Sequence, residues 1–321
     1  MLRYIGSRCL QLIPILLGVS FLSFAVMQLA AGDVVDAMSE NTGEILTEEE
    51  ADARRAELGL DEPFLVQYGS WLKGVVTGDM GKSYVSGKPV FQTFLSKLGA
   101  TAELMVSSVL FTILFSISLG VLSAVYHNRV IDYLIRFLSF IGNSLPNFFV
   151  SLLLIYFFSV KWKLLPVLGT GGDLQSLILP TLTLGIAMTA KYLRQVRAAV
   201  LEELKKEYVQ GARARGVRER VILFSSVLRT AMLTIVPLLA LSVGSLLGGT
   251  AVVESVFMWD GVGKLAVDSI NMRDYPMIQA YVVWMAVIYV LINLVSELIC
   301  QFLDPRIRLW EGGADRCRKR R

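Results

Sequence analysis

The chain has 321 residues, a formal net charge of +4, and a composition that is 54% hydrophobic but only 18% charged. Soluble domains carry about a quarter charged residues and lack apolar runs of roughly 20, the length that crosses a bilayer core about 30 Å thick, so a soluble globular protein is excluded. Three cysteines near the chain ends (Cys9, Cys300, Cys317) and one histidine (His127) give neither a disulfide framework nor a transition-metal centre.

Six apolar runs follow in order, at about 9–31, 100–126, 133–160, 176–196, 230–253 and 277–303. They predict an all-α, polytopic membrane protein with about six transmembrane helices in the lipid bilayer. Arg3 and Arg8 precede the first run as they would a signal peptide, but the run is longer than a usual h-region and favours a retained helix, giving a first segment 1–31. Charge sets the orientation. The 191–229 segment and the tail 304–321 are rich in arginine and lysine, and Arg129 and Arg136 fall on the same side. Residues 32–99 on the opposite side carry twelve acidic and six basic residues. Both termini are therefore expected in the cytoplasm. The basic segments answer to this rule, and no nucleic-acid partner is expected.

The 32–99 loop is too long for a turn. Thr47 as N-cap, Glu48–Glu50 at the positive end and Gly59 as the stop predict a helix over 47–58. Tyr68, Trp71 and Leu72 form an amphipathic patch suited to the membrane surface. The loop is thus expected to be a small helical element outside the cell. Gly81-Lys82-Ser83 imitates the end of a phosphate-binding loop, but the glycine required five positions earlier is Val76. No catalytic residues, bound cofactor or metal are expected in this chain, and the spans lack the paired acids of an intramembrane protease. Glu103 and Asp132 lie at span ends and read as interfacial. Pro146 and Pro180 mark kinks or irregular turns. In the core segment 100–303, Ser242, Ser245, Gly248, Gly249 and Thr250 form a small-residue stripe, with Gly244 and Gly248 at G-x-x-x-G spacing. They read either as helix packing or as the lining of a passage, and Glu297 is the one acid well inside the last run.

The loop 197–229 contains Lys205-Lys206-Glu207-Tyr208-Val209-Gln210-Gly211-Ala212-Arg213-Ala214-Arg215-Gly216. On a helix, Tyr208, Ala212 and Arg215 share a face, and Gly216 is a natural stop. The physics alone leaves two readings, a solvated basic loop or a slim rod that docks on a partner. The segment resembles the cytoplasmic coupling motif of binding-protein-dependent ABC importer permeases, E-A-A-x-x-x-G, with Gln210 and Gly211 standing in for the first pair. It is more closely similar to the D-Y-V-x-x-A-R-A-K-G form of the peptide/nickel permease family. Gly78-Asp79-Met80-Gly81-Lys82-Ser83, Val253-Glu254, Gly261-Val262-Gly263, Arg273-Asp274-Tyr275-Pro276 and Asp304-Pro305-Arg306 extend the resemblance along the chain.

The resemblance implies a permease of a prokaryotic inner membrane, paired with a second homologous permease subunit. It also implies two ATPase subunits (or a homodimer) that use ATP and Mg, and an extracytoplasmic substrate-binding protein. Glu207, Tyr208, Gln210, Gly211, Ala212, Arg213, Arg215 and Gly216 would then seat in an ATPase groove. The 32–99 and 254–276 loops would meet the binding protein or shape the outer gate. The cargo is expected to be nickel as a chelate or short peptides, with a slight lean to nickel. A secondary carrier or channel working without an ATPase is the competing class.

Overall fold

The computed structural model describes residues 2–29, 35–36, 39, 43, 46–168 and 173–303. The tail 304–321, with its basic residues, and Gly171-Gly172 lie outside the described residues, as does most of 30–45. Every regular element among the described residues is helical.

Helix α1 (Leu2–Leu29) is the first span. Helix α2 (Glu48–Glu57) is the expected outer helix, closed by a capping box. The Thr47 N–H donates to the Glu50 carboxylate at 2.9 Å, and the Glu50 N–H donates back to the Thr47 hydroxyl at 3.4 Å. These bonds hold the Glu50 carboxyl below its ordinary value. A depressed carboxyl stabilises above its unfolded value and stops doing so as pH falls through the folded one. Amide protection at Glu50 and Ala51 should therefore drop as pH falls below the glutamate range, about 4. Thr47→Ala should cause the same drop at neutral pH, and hydrogen exchange measures both.

Helix α3 (Phe64–Thr77) presents its aromatic patch to α1 rather than to the membrane surface. Tyr68 packs edge-on against Phe21, centroids 5.4 Å apart, and its hydroxyl lies 3.0 Å from that of Ser20. Trp71 meets Phe24 at 6.1 Å. Edge-to-face rings at such spacing add to the burial of their area.

Helix α4 (Val90–Val125) starts ten residues before the expected second run and is longer than a bilayer core requires. The third run is not one straight span. It divides into α5 (Val130–Ser144) and α6 (Asn147–Leu154), the latter continued by a π-helical stretch Ile155–Lys161, and the two halves are bent by 105°. Pro146 causes the break, because its ring forces the preceding Leu145 into extended backbone (ψ 132°) and it offers no N–H. Pro180 makes no such break within α7 (Leu174–Leu204).

Helix α8 (Glu207–Ala214) follows, then a short turn (Glu219–Val221), a π-helical stretch (Ile222–Val227) and α9 (Leu228–Val256). Entry into the fifth span is thus helical, and Thr230 back-bonds to the Ser226 carbonyl at 3.0 Å. The 254–276 stretch is not a plain loop, since it contains α10 (Val262–Asn271). Helix α11 (Tyr275–Leu303) is the last span. Among the described residues, five helices are long and apolar enough to cross a membrane, or six if the bent pair is one span.

The chain divides into two compact units. One is Met1–Glu103, Leu168–Gly172 and Thr250–Val290; the other is Leu104–Val167, Asp173–Gly249 and Leu291–Arg321. Within the second, Val121 of α4, Val196 and Val200 of α7, Val209 of α8, and Ile222, Ala231 and Ile235 form one buried cluster. Many large apolar side chains face outward instead, among them Phe137, Phe140 and Leu153. That exposure is untenable in water and normal against lipid acyl chains.

Candidate functional site

Helix α7 runs to Leu204 and stops at Lys205, and Lys206 begins α8 in extended backbone. Glu203 is buried at this junction and holds both sides of it. Its carboxylate pairs with Lys206 and accepts the Tyr208 hydroxyl at 3.0 Å. Partial burial, and then the bond to Glu203, raise the Tyr208 phenol above its ordinary value. Val209, fully buried, anchors α8 in the cluster shared with α7 and α9, and Ala212 packs against that cluster.

The face expected to meet a partner is therefore redistributed. Of the expected face, Tyr208 and Arg215 are exposed while Ala212 packs inward; Glu207, Gln210, Arg213 and Ala214 are also exposed, and Gly211 is half-exposed. The helix ends in a Schellman motif: the Gly216 N–H donates to Arg213 O at 2.9 Å and the Val217 N–H to Ala212 O at 3.2 Å. Gly216 has φ +75°, the left-handed conformation that side chains with a Cβ rarely adopt. Arg213 then forks onto Glu219, Nε to Oε1 at 2.6 Å and Nη2 to Oε2 at 3.2 Å, which lowers the Glu219 carboxyl. An exposed pair of this kind adds little stability, about 0–1 kcal/mol, but it fixes the chain direction after the turn. The rod is thus a rigid extension of the spans on either side of it, bearing a polar outer face.

The residues expected to line a passage divide. Gly248 and Gly249 have nothing within 4 Å of the space a Cβ would fill among the described residues. Thr250 is fully buried, one turn before Glu254. Ser242 and Ser245 lie on α9, but their side chains fall outside the described residues. Glu297 is half-buried on α11.

Two acids carry more structure than their sequence positions suggest. Asp132, expected to be interfacial, is fully buried. It receives Arg197 Nε and Nη2, each at 2.8 Å, the Ser123 hydroxyl at 2.5 Å and the Asn128 N–H at 3.0 Å. Glu254, also fully buried, accepts the Thr101 hydroxyl at 2.8 Å and the Lys264 N–H at 2.9 Å, while the Val262 N–H donates to Thr101 Oγ1 at 2.9 Å. Glu254 and Thr101 together cap the N-terminal end of α10. The glycines at 261 and 263 were the available signal, since a cap donated from a distant helix needs close backbone approach.

Residues 116–309 match the family described as binding-protein-dependent transport system inner membrane component, and residues 1–105 match its N-terminal region. The glutathione transport system permease protein GsiC of Salmonella typhimurium is 39% identical over 313 residues, covering 96% of this chain and 99% of that one. Its counterpart in Escherichia coli K12 is 38% identical over the same length. An inward-facing structure of the MetNI methionine ABC transporter aligns with a TM-score of 0.56 and 20% identity, covering 67% of this chain and 97% of that one, which shows a shared fold. The chain belongs to the binding-protein-dependent transport system inner membrane component family, and it is a non-catalytic permease subunit of an ABC importer.

Proposed function

We propose that this subunit passes short peptides of the glutathione class, and that Glu207–Gly216 receives the stroke of the ATPase subunits. The observation that carries the cargo class is the 39% identity, along nearly the whole chain, to permeases named for glutathione, a tripeptide. Nickel loses its lean, because no relative named above is a nickel permease and no group of three or more metal-ligating side chains occurs among the described residues. ATP and Mg belong to the ATPase partners, and a sister permease completes the passage. The open face at Gly248 and Gly249 fits a helix turned toward that passage or that sister.

The stroke reading rests on rigidity. Val209 and Glu203 bind the rod to α7 and α9, so a displacement of α8 is passed to two spans rather than absorbed in a loop. The outer face of Gln210, Arg213 and Arg215 offers hydrogen bonds and positive charge to an acidic groove.

The test uses the whole assembly in proteoliposomes with its binding protein. ATP-dependent uptake of labelled glutathione or a dipeptide is expected, and uptake of a nickel chelate alone would overturn the cargo class. Gly216→Val puts a β-branched residue at φ +75°, at a cost of about 1–3 kcal/mol, and loosens the end of the rod. Membrane insertion should persist while substrate-stimulated ATP hydrolysis and uptake fall at least tenfold. Uptake by the permease alone, driven by an ion gradient, would replace this reading with a secondary carrier.

A further inference from the structure

One cavity in the first compact unit is unused by the passage and by the rod. It has a volume of about 650 Å³, within the roughly 300–1,000 Å³ range of small-molecule pockets. Its walls come from the end of α1, from α3 with the segment after it, and from the start of α11, the side that the charge distribution assigns to the outside. Phe24, Trp71, Tyr84 and Tyr275 supply aromatic surface, and Lys82 and Asp79 lie on the rim.

The wall is built, not incidental. Asp274 is buried and accepts the Tyr84 N–H at 3.1 Å and the Ser83 hydroxyl, which fixes the 82–84 segment against the first turn of α11. Met80 is anchored by Trp284, whose Nε1 lies 3.2 Å from its sulfur. Within this frame Gln279 is only 7% exposed, lines the cavity, and makes no hydrogen bond among the described residues. Its amide thus faces the open space of the cavity, where a ligand can pair with it. Lys82 is exposed at the edge of the same space.

We propose that this cavity is an outer peptide subsite, in which the Gln279 amide pairs with a peptide bond of the cargo. A primary amide has a donor and an acceptor side by side and can bond the C=O and N–H of an extended peptide together. The aromatic walls take a side chain, Lys82 takes a carboxylate, and Asp79 takes the ammonium. Cargo released outside would be held here by its backbone, with little demand on side-chain identity, before it enters the passage. The assignment rests on the peptide reading of the cargo.

The permease–ATPase assembly in nanodiscs, without binding protein, is titrated with glutathione while thermal unfolding is followed. Wild type should show a saturable rise in melting temperature, as any ligand selective for the native state produces. Gln279→Leu should shift the titration at least about tenfold to weaker binding, and Gln279→Asn, whose amide is one methylene short, should fall between. Basal melting temperature of Gln279→Leu should stay close to that of wild type, because the amide makes no hydrogen bond to the protein.

Superimposable titrations for all three proteins would overturn the subsite, as would a wild type that transports glutathione yet shows no saturable shift. Variants that weaken binding-protein association with the glutathione titration unchanged would also overturn it and make the cavity a docking surface. Failure of the cargo class reads out separately, as nickel uptake without peptide uptake.

Discussion

Asp132→Ala should leave little folded subunit. The carboxylate it removes is fully buried and is the acceptor for both Arg197 nitrogens, for the Ser123 hydroxyl and for the Asn128 N–H, with Arg136 Nε 3.5 Å away. Arg197 keeps only 16% of its side chain exposed and would be left as a buried cation with no counter-charge. Breaking one half of a buried pair costs about 3–5 kcal/mol, a large share of the 5–15 kcal/mol that stabilises a typical protein. The site also joins three helices and the turn between two of them. Ser123 lies near the end of α4, Asn128 in the turn, and Asp132 in the first turn of α5, while Arg197 is on α7, seven residues before that helix ends at the rod. Thermal unfolding of the purified assembly should show the loss. The double variant Asp132→Asn/Arg197→Met should be more stable than Asp132→Asn alone, because it removes the stranded charge. Equal melting of single and double variants would mean that Arg197 is not stranded as a buried charge when Asp132 is neutralised.

Legibility in the sequence followed how local each determinant is. Helix α2 was readable to the residue because its start and stop are set by Thr47, Glu50 and Gly59, all within a dozen positions. The end of the rod at Gly216 was readable for the same reason. The spans could be found because an apolar run long enough to cross lipid needs no tertiary information. The bend at Pro146 was visible as a kink but not as a 105° turn, since its size depends on what α5 and α6 pack against: Ser139 of α5 donates to Ala190 O of α7 at 2.6 Å, and Gly142 has Ala190 close beside it. The burial of Asp132 was not visible because its neighbours in sequence are charged and its partner is 65 residues away. Helix α10 was hidden for a related reason: its cap comes from α9 and α4 rather than from the residue before it. Gln279 carries no signal in the sequence, and its place in the cavity wall emerges only when α1, α3 and α11 close around it.

Gly261→Ala should be nearly as damaging as loss of Asp132, although it adds one methyl group. A Cβ at 261 would fall inside the van der Waals envelope of Glu254 Oε2 and Thr101 Oγ1, and one at 263 would lie 2.7 Å from the Cα of Ala251. Neither obstacle is the free end of a flexible side chain. The carboxylate is fixed by the Thr101 hydroxyl and the Lys264 N–H, and the other obstacle is backbone. Overpacking a fixed site typically costs about 1–3 kcal/mol. Here the methyl would also push a buried carboxylate off its donors, adding the cost of an unpaired charged group. The helix that suffers is α10, whose first N–H groups depend on Glu254 and Thr101. Gly69→Ala on α3 is the matched comparison, because the same methyl there meets nothing within 4 Å and the position is exposed. Purified assemblies carrying the two changes should separate in melting temperature by several degrees, with Gly69→Ala at or slightly above the wild-type value. Glu254→Gln should fall between them: its amide oxygen still accepts from Thr101, but its NH2 group meets the Lys264 N–H donor to donor. A Gly261→Ala protein that melts like wild type would mean that α10 and the end of α9 can move apart freely, and Glu254 would then be a spectator rather than the cap that joins them.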